Sequence, residues 1–302
     1  MKPDAATYTK TADRPDTPTW MGDVVTLAKV RLNTLVVAST AGGFYMASPE
    51  PGFLGLLILT TAGTALVASG ASAVNQVYEC QTDKLMERTR RRPIADGRMS
   101  RLAGLLVGLA FTAVGLGLLW VGATHTAALV ALATMLSYVL IYTPSKRFTS
   151  LSTIIGAVPG ALPPLIGWAA VRDSVSGPEP WSLFLIMFFW QLPHFLAIAW
   201  MYREDYARAG MPMLTVIDTH GAFTGRQAVL WAAALVPLSL LPLLFGMAGL
   251  TYAVSAFVLG LAQVAIAVRF ARHRSIAKAR GLFFASIVYL PLLWVVMVLD
   301  RS

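Results

Sequence analysis

The chain has 302 residues, 56% of them hydrophobic and 13% charged, at a mean hydropathy of +0.64. Soluble domains carry about 25% charged residues, and several apolar runs here reach the roughly 20 residues that cross a bilayer, so a water-soluble enzyme is excluded. A net charge of +9 would suggest a nucleic-acid partner in a soluble protein, but in a membrane protein the positive-inside rule explains it and no nucleic acid is expected.

In chain order, residues 1–23 are polar, rich in Pro, Thr and Asp, and lack the apolar core of a signal peptide. They read as a disordered cytoplasmic tail ahead of a single transmembrane domain, 24–302. Nine spans are predicted at 25–47, 53–77, 102–121, 127–142, 151–171, 181–201, 227–247, 252–268 and 282–299. The fourth is short and the fifth holds three prolines and three glycines, so neither is expected to be an ideal straight helix. Cys80, the single cysteine, excludes an internal disulfide.

The linkers alternate in character. The tail and residues 78–101, 143–150, 202–226 and 269–281 carry 20 of the 24 Lys and Arg residues. The opposite loops carry Arg172 and Arg301, while Lys29 and Arg31 sit inside the first span. The expected topology is multi-pass in a bacterial-type cytoplasmic membrane, with the N-terminus cytoplasmic and the C-terminus outside. The long polar connections then share the cytoplasmic face, where chemistry is expected.

The second span runs into NQVYECQTDKLMERTRRRP, residues 75–93. Asn75, Glu79 and Asp83 are spaced i, i+4, i+8 and stack on one helix face. A column of hard oxygen donors suits Mg2+, which takes one or two carboxylates and fills its shell with water and phosphate. Arg88, Arg90, Arg91 and Arg92 follow, and guanidinium groups grip phosphate oxygens bidentately. Anchoring at anionic headgroups would also explain the arginines, but not Asn75 and Glu79, because polar groups inside a span are costly and usually functional. In the sixth span, Gln191, His194 and Asp205 fall in phase if the helix is continuous, and Pro193 bends it toward a cavity. A lone His in an apolar helix is often only an interior residue; the in-phase polar neighbours favour a role. At the end of the fourth span, Tyr138, Tyr142, Lys146 and Arg147 either complete a diphosphate site or anchor the interface.

These segments, with YTPSKRFTSLSTIIGAVPGALPPLIGW and WQLPHFLAIAWMYREDYARAGMPML, resemble the UbiA superfamily of intramembrane prenyltransferases over roughly residues 24–299. The Pro-His-Phe and Ala-Gly-Met-Pro-Met-Leu pieces are similar to its branch that farnesylates protoheme IX, although the first span reads Lys-Val-Arg where that branch usually has Lys-Pro-Arg. The resemblance implies an all-α bundle of about nine helices around a lateral cavity, with cytoplasmic cap loops. It implies transfer of farnesyl from farnesyl diphosphate to a vinyl group of haem b with addition of water, Mg2+ as cofactor, and a haem A synthase as partner. Under it, Asn75, Glu79, Asp83 and Asp205 would ligate metal, Arg88, Arg92, Lys146 and Arg147 would bind diphosphate, and Gln191, His194 and Tyr142 would meet the acceptor. His194 has two roles open, a haem contact or support of the metal site. The alternatives are a relative acting on an aromatic acid or chlorin, and an ion-coupled transporter, which would place polar residues along a path through the bilayer.

Overall fold

A computed structural model describes residues 19–48 and 53–301. The expected tail lies outside the described residues through position 18. Its last part is not tail-like: α1 (Trp20–Leu27) already begins there, capped by Thr19 Oγ1, which accepts from the Gly22 amide at 3.2 Å. The remaining elements are α2 (Val30–Ala47), α3 (Leu54–Asp83), α4 (Arg101–Gly122), α5 (His125–Ser145), α6 (Ser152–Arg172), α7 (Pro178–Met201), the short α8 (Arg203–Arg208) and α9 (Leu214–Ile217), α10 (Ala222–Leu244), α11 (Leu250–His273) and α12 (Ile276–Leu299). No strand is present among the described residues, only an isolated bridge between Ala248 and Arg301.

Eight of these helices are long and apolar enough to cross a membrane, and the α1–α2 pair, bent by 46°, makes nine if it counts as one span. The bend sits at Lys29, whose φ of 49° is left-handed. Breaking a helix there frees carbonyl groups that need new donors. Asn33 Nδ2 donates to the Ala28 carbonyl at 2.7 Å, and Gln76 Nε2 from α3 donates to the Leu27 carbonyl at 2.8 Å.

Two other helices depart from regularity, as their sequences foretell. α5 reaches 21 residues, longer than expected, but its stretch Ser137–Tyr142 is a π-helix. α6 breaks at Leu162, ahead of Pro163, which lacks the N–H that a continuous helix requires.

α3 has 30 residues. At 1.5 Å per residue it is about 45 Å long, well beyond a hydrocarbon core of ~30 Å, so its last turns reach the end where the long loops lie. It packs tightly on α4 through small residues: a Cβ on Gly70 would overlap Thr112 and lie 2.6 Å from the Gly108 carbonyl oxygen. α7, α10, α11 and α12 form a second group, and α6 joins the two, packing its first half on α7 and its second half on α2. Between the groups lies a cavity of about 300 Å³, walled by α2, α3, α5, α6 and α7.

Candidate active site

The last three turns of α3 carry the column. Asn75, Glu79 and Asp83 are all buried, and each is held by a residue from elsewhere in the chain. Asn75 Oδ1 accepts from Lys29 Nζ at 3.2 Å, and its Nδ2 donates to Thr143 Oγ1 at 3.1 Å. Glu79 Oε1 pairs with Lys146 Nζ at 2.7 Å. Asp83 takes Arg92 Nη1 on both oxygens at 2.8 Å, and the same nitrogen lies 3.9 Å from Glu79. Lys29, inside an apolar helix pair, thereby has the partner that its position demands.

The loop after α3 folds back over the column. Thr89 Oγ1 donates to the Asp83 carbonyl at 3.0 Å, which closes the turn that returns Arg92 to Asp83. The Arg88 amide donates to Asp205 Oδ2 at 3.3 Å, and Asp205 also pairs with Arg208. Asp205 thus stands on the far side of the same loop. Its route is not the expected one, because α7 ends at Met201. Tyr202 leaves helical geometry at φ −111°, and α8 starts afresh, so the expected common face of His194 and Asp205 does not exist.

Arg88 stacks its guanidinium over the Tyr202 ring at 5.1 Å. Arg147 does not join the cluster. It is exposed, lies 5.0 Å from the Tyr78 ring and donates to the Tyr78 carbonyl at 3.4 Å. Lys146 does join. Burial works against its charge, but the Tyr142 phenol and the Glu79 carboxylate outweigh that and hold it above the ordinary lysine value.

Tyr142 connects this cluster to the cavity. Its ring lies 4.4 Å from Lys146 Nζ, and it lines the cavity wall with Tyr138, 5.3 Å away. The π-helical turn sets both rings, and Gly156 on α6 leaves room for Tyr142, since a Cβ there would overlap that ring. Deeper in the cavity stand Gln191 and His194. Gln191 Nε2 donates to the Ala157 carbonyl at 2.7 Å, and His194 Nδ1 lies 2.7 Å from Ser286 Oγ on α12. His194 stacks on Trp190 and Phe283 and makes no contact with the carboxylates. Thr143, Thr89 and Ser286 carry no sequence signal, because small hydroxyls are ordinary in apolar helices.

Among the described residues, no three His, Cys, Asp or Glu side chains converge on a ready-made metal site. That arrangement fits Mg2+ used with phosphate, where one or two carboxylates suffice and substrate oxygens supply the rest. Glu79 and Asp83, sharing Arg92, provide such a pair of hard oxygen donors.

Residues 36–288 match the UbiA prenyltransferase family. The chain is 43% identical to a protein named protoheme IX farnesyltransferase from Solibacter usitatus, over 93% of this chain and 99% of that one. A protein of the same name from Opitutus terrae is also 43% identical, over 92% and 94%. Among solved structures, a digeranylgeranylglyceryl phosphate synthase superposes with a TM-score of 0.75 at 15% identity, covering 93% of this chain and 98% of that one. A UbiA homologue from Archaeoglobus fulgidus bound to GPP and Mg2+ superposes at 0.64 with 15% identity, covering 91% and 99%.

Proposed function

The chain belongs to the UbiA prenyltransferase family, and on that premise we propose that it transfers the farnesyl group of farnesyl diphosphate to a vinyl group of protoheme IX (haem b), with addition of water, giving haem O and diphosphate. The observation that carries this reading is Tyr142, one ring that touches the Lys146–Glu79 pair on one side and lines an apolar cavity on the other. A prenyl diphosphate has that same division, a charged head and a hydrocarbon tail. The choice of haem as acceptor is supported by relatives at 38–43% identity that carry the protoheme IX farnesyltransferase name.

Glu79, Asp83 and Asp205, with Asn75 behind them, would hold Mg2+, which when bound supplies the neutralisation of the leaving diphosphate. Arg92 and Lys146 supply N–H donors to the phosphate oxygens as the allylic C–O bond breaks and negative charge gathers there. Arg88, in the same loop as Arg92, adds a further guanidinium for the diphosphate, and Arg147, more exposed, contributes at longer range. The allylic cation develops among apolar side chains that keep water away. The terminal vinyl carbon forms the new C–C bond. The cation left beside the porphyrin then takes the oxygen of water, and the remaining proton goes to solvent. Gln191 and His194 stand where the acceptor meets the cavity.

Under this reading the chain carries one transmembrane domain. The N-terminus is cytoplasmic, the C-terminus is outside, and a haem A synthase takes up the product. The test is turnover in membranes with farnesyl diphosphate and haem b, with and without Mg2+, following haem O by mass. Metal-dependent haem O is the expected result. Product with an aromatic acid or a chlorin and none with haem would keep the metal chemistry and overturn the acceptor.

A further inference from the structure

Ser286, fully buried on α12, stands between two polar atoms. Its Oγ lies 2.6 Å from the Phe283 carbonyl oxygen and 2.7 Å from His194 Nδ1. A carbonyl oxygen cannot donate, so the 2.6 Å contact requires the serine proton between the two oxygens. With that proton committed, Ser286 Oγ can only accept from the imidazole. His194 therefore carries its ring proton on Nδ1 and keeps a lone pair on Nε2.

The surroundings hold that arrangement. Trp190 and Phe283 stack on the imidazole with centroids 5.2 and 4.9 Å away, at 21° and 26°. Trp190 Nε1 donates to the Ser286 carbonyl at 2.8 Å, fixing the serine's own turn of helix. His194 lines the cavity with its Nδ1 edge turned to Ser286, which leaves the Nε2 edge for whatever enters. A neutral imidazole nitrogen with its partner nitrogen hydrogen-bonded is the form that binds transition metals.

We propose that Ser286 is a positioning residue that fixes the His194 tautomer so that Nε2 ligates the iron of the porphyrin substrate. This rests on haem being the acceptor. The bond to iron would pin the porphyrin and so set which vinyl group reaches the farnesyl cation.

The experiment titrates the purified full-length protein in nanodiscs with haem b and, separately, with metal-free protoporphyrin IX, reading visible spectra. The wild type is expected to give a histidine-ligated haem spectrum that His194→Ala loses. Ser286→Ala should weaken haem binding by about 10- to 100-fold, Ser286→Thr should restore it, and metal-free porphyrin should bind all four proteins alike. An unchanged haem spectrum in His194→Ala overturns the iron contact. Equal weakening of haem and metal-free porphyrin in Ser286→Ala reduces Ser286 to packing and overturns its role. A wild type that farnesylates another acceptor and binds no haem overturns the acceptor reading itself, whereas a wild type that makes haem O while failing the spectral tests overturns this inference alone.

Discussion

Asp83 accepts both of its close contacts from one guanidinium nitrogen, in a site that water barely reaches. Removing its charge does two separable things. It deletes a proposed metal oxygen, for which a loss of turnover of about 100-fold or more is expected. It also leaves Arg92 with only the more distant Glu79 carboxylate, 3.9 Å away, so the loss of stability approaches the roughly 3–5 kcal/mol of a buried pair broken from one side. Asp83→Asn should therefore show both losses, one in haem O formation and one in thermal unfolding. Adding Arg92→Gln should return much of the stability and none of the activity. Recovery of activity in the double variant would sink the metal assignment. The column itself was readable from sequence because carboxylates at i, i+4, i+8 inside an apolar span have few structural excuses. What holds it was not readable. Thr143 and Ser286 satisfy their hydroxyls on carbonyls of their own helices, at Tyr138 and Phe283, and look like inert residues until the fold brings Asn75 and His194 to them.

Between residue and bundle, the loop after α3 is stitched to α1 by Arg98. Its guanidinium donates to buried Asp23 at 3.0 Å and to the Arg91 carbonyl at 3.0 Å, and it pairs with Asp96. This stitch holds α1 against the arginine segment that presents Arg92. Arg98→Ala is expected to raise KM for farnesyl diphosphate roughly tenfold, equivalent to about 1.4 kcal/mol, with KM for haem unchanged. An equal rise in both would show general loosening instead. The seam between α3 and α4 makes a second prediction. Gly70→Ala must force its Cβ into backbone of α4 and should cost about 1–3 kcal/mol in unfolding assays. Gly117→Ala, on α4 with nothing within 4 Å of a new Cβ, should be neutral or gain up to ~1 kcal/mol from helix propensity. The spans were legible in apolar run length. The break at Lys29 was not, since it depends on Asn33 and Gln76 reaching carbonyls that only the folded bundle brings near. The end of the sixth span at 201 was legible as well, but the shared face of Gln191, His194 and Asp205 was not tenable, because their 3.6-residue phase runs unbroken through Tyr202 in sequence while the chain turns there.

For the whole molecule, charge and geometry point the same way. The loops that bear the cluster belong to the set with 20 of the 24 basic residues. The opposite end is closed by short caps: Asp300 accepts from the Tyr252 amide at 2.7 Å, and Arg301 donates to the Tyr45 carbonyl at 2.9 Å and to the Ser48 carbonyl. A transporter would need polar groups continuing from one end to the other, whereas the cavity wall between the ends is mainly apolar, with residues such as Val36, Val67, Ala131 and Ile166. Under the proposed topology, which follows the positive-inside rule, the cluster lies on the cytoplasmic side, where a diphosphate substrate would reach it from water. Labelling can decide this, because Cys80 is the single cysteine and is buried, 3.1 Å from Arg101 Nε. In a Cys80→Ser background, a membrane-impermeant maleimide applied to intact cells should label Ser176→Cys, in the exposed turn before α7, and should leave Lys84→Cys, in the loop over the column, unlabelled until the cells are opened. The reverse pattern would put the carboxylates on the outer surface. It would overturn the topology while leaving the geometry of the site intact, and would require the diphosphate donor to be presented from outside the cell.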